Sequence, residues 1–158
     1  MPIKNTVTTG AQGAATSGRY EQSAALDREV EQTLQYWVTG IVTHDRKIIE
    51  RIHDEDFYCT ELGGPMDRRT HIEMELRTAE VEMEFFDLTT HGFGEIVLTW
   101  GRQTLKAAIP AESFNDCLVR QARDGLEFSF TLVWRRDEAG LRVLTFHASP
   151  IDSRPGGN

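Results

Sequence analysis

At 158 residues the chain can bury one substantial core but hardly two. Its 39% hydrophobic and 27% charged residues are ordinary for a soluble globular protein. With 17 Lys and Arg against 25 Asp and Glu, the net charge is −8, which argues against nucleic acid and membranes as main partners, because phosphate binding needs a concentrated basic surface.

In chain order, residues 1–20 are rich in Gly, Ala, Ser and Thr and offer little apolar surface, so a disordered tail is expected there and again at 153–158. One domain is expected between them, over 21–152. Leu26, Val30, Leu34, Trp37 and Ile41 recur at spacings of four, four, three and four, which predicts a long amphipathic helix. Asp45 is placed to cap a short helix bearing Ile48, Ile49 and Ile52. A brief extended piece and a Gly turn follow, and Asp67 is placed to cap a third helix bearing Ile72 and Leu76.

After residue 78 the period changes to two. Val81, Met83 and Phe85 alternate with Glu80, Glu82 and Glu84, "HGFG" is a turn, and residues 95–107 form a second strand. A polar connection over 110–125 leads to a strand whose Leu126, Phe128, Phe130, Leu132 and Trp134 share one face. "DEAG" is a hairpin turn into the closing strand, "LRVLTFHASP". Helices first and then hairpin-linked strands make this an α+β fold, with helices packed on one face of a curved antiparallel sheet.

No apolar run approaches the roughly 18 residues of a membrane span, and the first twenty residues lack the apolar core of a secretory signal. Cys59 and Cys117 have no CxxC partner, so a reduced, cytoplasmic protein is expected, with a single disulfide as the alternative. The five histidines form no HxxxH, HxH or Cys–His pair, so no metal site is read from spacing.

The strings "YWVTGIVTHDRKIIERIHDEDFYCTELGG", "MDRRTHIEME" and "VWRRDEAGLRVLTFHAS" resemble the nuclear transport factor 2-like superfamily in its SnoaL-like branch, over about residues 22–151. Asp45, Asp56, Phe57, Gly64, Arg68, Trp134, Gly140, Arg142, His147 and Ser149 match its diffuse pattern. The chain departs from it at Leu141, where Trp is usual, and in its longer stretch 106–125. The resemblance implies a cone: a strongly bent, cystatin-like sheet wrapped around the long helix, with a ligand pocket in its mouth. Members include polyketide cyclases, ketosteroid isomerases, dehydratases and non-catalytic modules, so function must be argued from the site.

Strict alternation puts Asp87 on the apolar face with Phe85, where desolvation would make its carboxylate a better base; the bland alternative is an exposed Asp87 paired with Arg102. The same alternation puts His147, with Ser149, on a mixed face turned toward the cone interior, as a base or as a structural ring that bonds a neighbouring element. Tyr58, near Glu61, is the candidate donor to a substrate oxygen, or else a rim residue. Trp37, Trp100, Arg102, Trp134 and Phe130 are the candidate substrate-binding residues.

Two expectations result. One is a cofactor-independent isomerase, cyclase or dehydratase acting on a small apolar carbonyl compound. The other is a non-catalytic ligand-binding or dimerisation module with its pocket filled. Because both faces of the last two strands carry apolar groups, a homodimer on the outer sheet face is expected in either case.

Overall fold

The computed structural model describes residues 20–61, 64–113 and 116–151, and for Glu61 the backbone alone. The expectations for the tails, over 1–19 and 153–158, and for residue 152 and the Glu61 side chain, lie outside the described residues. Tyr20, expected in the first tail, opens β1 (Tyr20–Glu21). The remaining elements are α1 (Ala24–Thr43), α2 (Arg46–Ile52), β2 (Tyr58–Glu61), β3 (Gly64–Asp67), α3 (Arg68–Arg77), β4 (Ala79–Phe93), β5 (Ile96–Ala108), α4 (Asp116–Asp124), β6 (Leu126–Asp137) and β7 (Gly140–Pro150).

The helix starts follow local chemistry. Ser23, Asp45 and Asp67 cap α1, α2 and α3, each side chain accepting from backbone N–H groups of the first turn that have no partner within the helix. His44 closes α1 in a left-handed conformation (φ 53°), and its Nδ1 meets Leu76 O at 2.8 Å, which ties the ends of α1 and α3 together. At Gly40 a Cβ would stand 2.6 Å from Ile48 Cγ2, so the absence of a side chain is what lets α2 fold back onto α1.

One seven-stranded sheet runs β1-β4-β5-β6-β7-β2-β3. Its pairings are antiparallel except that between β2 and β7. The apolar stripe of α1 (Leu26, Val30, Leu34, Trp37, Ile41) is buried, as are Leu126, Phe128, Phe130, Leu132 and Trp134 on the inner face of β6. The connection over 110–125 is more than a polar loop. It holds α4, whose Val119 and Ala122 are buried.

Of three register shifts in the ladders, two β-bulges, one in the middle of β4 and one in β7, set which of the candidate side chains face inward. In β4, Phe86 pairs Arg102 and Thr89 pairs Trp100, so Asp87 and Leu88 together oppose Gly101. A Cβ on Gly101 would lie 2.9 Å from Phe86 O, so glycine is what accommodates the bulge. In β7, Val133 pairs Thr145 while Trp134 pairs Val143, leaving Leu144 as the extra residue. Beyond each bulge the alternation is reversed. Leu141 and Val143 are buried before the second bulge, and Phe146 and Ala148 after it.

Candidate functional site

Between α1, α3, α4 and the inner sheet face lies an apolar cavity of about 80 Å³. That is room for on the order of six waters or one small ring. Its walls include Ile41, Met83, Phe85, Leu105, Phe128 and Phe146. One end is polar, where Trp37, His71 and Glu75 meet, and Thr78 and Gln103 also line the space.

The polar end is built by α1, α3 and the end of α2. His71 and Glu75 stand four residues apart on α3, hence on one face, and both are buried. Trp37 Nε1 donates to Glu75 Oε1 at 2.9 Å. Behind them lies His53, the C-cap of α2, with Nε2 at 2.9 Å from His71 Nδ1. Its Nδ1 is 2.8 Å from Ile49 O, which can only accept, so His53 carries its proton there. Burial first, and then the neighbouring His71, pushes the His53 ring down to about 3, so it is neutral at physiological pH. Its Nε2 is therefore an acceptor, and the proton between the two rings sits on His71 Nδ1.

The carboxylate of Glu75 completes the cluster, with Oε1 3.5 Å from His71 Nδ1 and Oε2 3.7 Å from His53 Nε2. The ring of Phe57 packs on both imidazoles, with centroids 4.6 and 4.9 Å away. Asp54, fully buried, fixes the cluster from behind. Its N–H donates to Val143 O at 2.9 Å and its carboxylate accepts from Arg135 at 2.7 Å, so the residue following His53 is tied to the sheet. Among the described residues, His53, His71 and Glu75 form the group able to hold a cation, with one donor atom from each lying within 4.8 Å of the others.

The sequence candidates are divided between the two faces. Trp37 lines the cavity. Trp134 and Phe130 are buried but do not line it: Trp134 Nε1 donates to Thr99 Oγ1 at 3.0 Å, and Phe130 packs against Phe85 and Phe146. Asp87 is exposed and left-handed (φ 54°), turned outward by the bulge, and stands 3.6 Å from Arg102. Arg102 also pairs with Glu127 and covers the Phe86 ring. Trp100, 41% exposed, stacks on His91 on the outer face, and Tyr58 is exposed on β2.

His147 does not face the interior. It is exposed, with Nδ1 3.1 Å from both Thr60 Oγ1 and Thr60 O, and Nε2 3.3 Å from Ser149 Oγ. Phe146, one of the apolar groups of the last strand, is buried, whereas Trp100 is exposed and Leu144 half-buried. Cys59 is buried and Cys117 exposed, and the two are not joined in a disulfide. No helix among the described residues is long and apolar enough to cross a membrane.

Sequence reasoning missed His53, His71, Glu75 and Gln103. For two of them a signal existed: His71 and Glu75 share an i,i+4 face with the buried end of α3. His53 gave no such signal, because its contact with His71 spans 18 residues and arises from the packing of α2 on α3.

No family model matches the sequence, and no curated protein is similar to it. Solved structures are similar in fold. A candidate calcium/calmodulin-dependent kinase II association domain from Exiguobacterium sibiricum superposes with TM-score 0.66 at 11% identity, covering 85% of this chain and 99% of its own. A nuclear transport factor 2-like protein of unknown function from Pseudomonas putida gives 0.61 at 19%, covering 84% and 92%. A candidate dehydratase of the same family from Streptomyces avermitilis gives 0.63 at 14%, covering 82% and 99%. Helices on a curled antiparallel sheet, in this order and with these structural neighbours, give the chain the cone-shaped, cystatin-like fold of the nuclear transport factor 2-like superfamily.

Proposed function

We propose that this chain, as a SnoaL-like protein, takes a compact apolar carbonyl compound into the cavity and moves a proton on it at the polar end, as an isomerase, cyclase or dehydratase. The observation that carries this reading is a buried carboxylate beside a buried imidazole, at one end of a cavity otherwise walled by Met, Leu and Phe. Such surroundings keep water away and strengthen every charge interaction made with a bound oxygen. Asp87 and His147, the bases expected from alternation, are separated from that space by the sheet. Trp37 is the cavity's aromatic wall and, through its indole N–H, positions Glu75. The Streptomyces structure described as a candidate dehydratase supports the class through its fold alone.

The test is deuterium incorporation next to the carbonyl of a panel of small cyclic and branched ketones, followed by NMR. The expected result is exchange by the wild-type chain and loss of on the order of a hundredfold or more in Glu75→Gln. Equal exchange by the variant would overturn the assignment.

The outer sheet face supports a homodimer as the second reading. Trp100 at 41% exposed, Phe93 at 47% and Tyr58 at 52% are large aromatic groups open to solvent. Light scattering at micromolar concentration is expected to give twice the chain mass, and a monomer would end this reading.

A further inference from the structure

We infer that His53, His71 and Glu75 form a site for one divalent transition-metal ion at the polar end of the cavity. The three side chains already bring one donor atom each to within 4.8 Å of the others. His53 Nε2 and His71 Nδ1 are 2.9 Å apart, and the carboxylate oxygens stand 3.5 Å from His71 Nδ1 and 3.7 Å from His53 Nε2. Ligands bound at about 2.1 Å and separated by 90–109° lie about 3.0–3.4 Å from each other, a spacing the three side chains approach and would reach by turning the two rings and the carboxylate onto one point.

The chemistry of the set agrees with its geometry. Two imidazoles and one carboxylate suit zinc or ferrous iron, whereas magnesium and calcium want oxygen donors throughout. The surroundings of the ligands are those of a metal site. His53 Nδ1 faces Ile49 O, which leaves Nε2 as the coordinating atom, and Trp37 Nε1 orients Glu75. On binding, the His71 proton moves from Nδ1 to Nε2 or to solvent, and the cation takes its place between the rings.

Three protein ligands leave further positions open, and His71 and Glu75 line the cavity, so those positions face its interior. This part rests on the cavity reading. A carbonyl oxygen of the bound molecule would complete the coordination and be polarised by the cation, giving the proton transfer its electrophile.

The experiment is a titration of the chelator-treated full chain with cobalt(II), read by visible absorption, and with zinc, read by calorimetry. The expected result is one ion per chain, intense cobalt bands of a four- or five-coordinate site, and at least a tenfold loss of affinity in Glu75→Gln. His147→Ala, which alters a histidine on the opposite sheet face, should bind as the wild type does. Absence of saturable bands overturns the site, as does binding that survives Glu75→Gln and is lost in His147→Ala.

Should Glu75→Gln fail to fold, proton NMR of the cobalt-loaded wild-type chain decides instead. Paramagnetically shifted exchangeable imidazole protons are expected from His53 and His71, and none would refute the site. Ketone exchange measured with and without cobalt keeps the two readings apart. Cobalt bands without exchange would refute the reaction and leave the metal site, and metal-independent exchange without bands would do the reverse.

Discussion

On the inner face of the sheet the titratable side chains are few, buried and bonded to one another, whereas on the outer face they are many, half-exposed and matched with opposite charges. Glu75, His71 and His53 belong to the first kind; Asp87, Arg102 and Glu127 belong to the second. The consequence is a difference in how strongly surroundings act. Solvent screens the outer pairs, so each contributes little. In the inner cluster burial, helped by the neighbouring His71, holds an imidazole neutral across the physiological range. Chemistry that needs a shifted proton affinity is therefore expected on the inner side.

The comparison is tested most severely by pH. In the metal-free protein His53 titrates near 3 when folded and near the ordinary value of about 6.5 when unfolded. Between these values the unfolded chain binds the extra proton, so stability is full above about pH 6.5 and falls as pH drops toward 3. The slope approaches about 1.4 kcal/mol per pH unit. Urea unfolding across that window should show this loss, and His53→Gln should flatten it. An unchanged slope in the variant would mean that the inner cluster is no more sensitive than the outer pairs.

Trp37→Phe should have a smaller effect. It keeps the aromatic wall but removes the indole N–H from Glu75, at a cost of about 2 kcal/mol for a buried hydrogen bond to a charged group. Chemical denaturation at neutral pH measures it. The smallest effects belong outside. His147→Ala should change stability by no more than about 0.5 kcal/mol, since its partners are exposed. Asp87→Gly should be neutral or slightly stabilising, because relief of about 1 kcal/mol of left-handed strain offsets an exposed ion pair. Thermal melting of both variants, together with unchanged ketone exchange, would sharpen the contrast. Loss of exchange in either, with the fold intact, would return the chemistry to the outer face.

The elements were largely legible because each carries its own period and its own signals: the α1 stripe, the caps at Asp45 and Asp67, and the five alternating residues of β6. The site was not, and the reason is a matter of one residue per strand. A single inserted residue reverses inside and outside for everything beyond it. Asp87 sits within such a bulge and His147 lies just past one, so alternation assigned both to the wrong face. Glycine in a strand is a cue for such a place, and Gly101 is the glycine opposite the first bulge. The second bulge, at Leu144, has no comparable mark. The short β1, β2 and β3 carry too few residues for a period to be read, and α4 was hidden by its charged composition.

The segment between β5 and β6 makes the cavity adjustable independently of what lies at its polar end. Ile109 precedes α4 and Leu118 lies on it, and both form part of the cavity wall, while Trp37, His71 and Glu75 come from α1 and α3. Lengthening, shortening or exchanging that excursion would resize the chamber without disturbing a ladder pairing of β5 with β6 or a member of the buried cluster. Part of the cavity wall and the buried cluster are thus encoded in separate stretches of sequence. A library confined to residues 109–125 is accordingly the economical route to new ligands on the same reactive end.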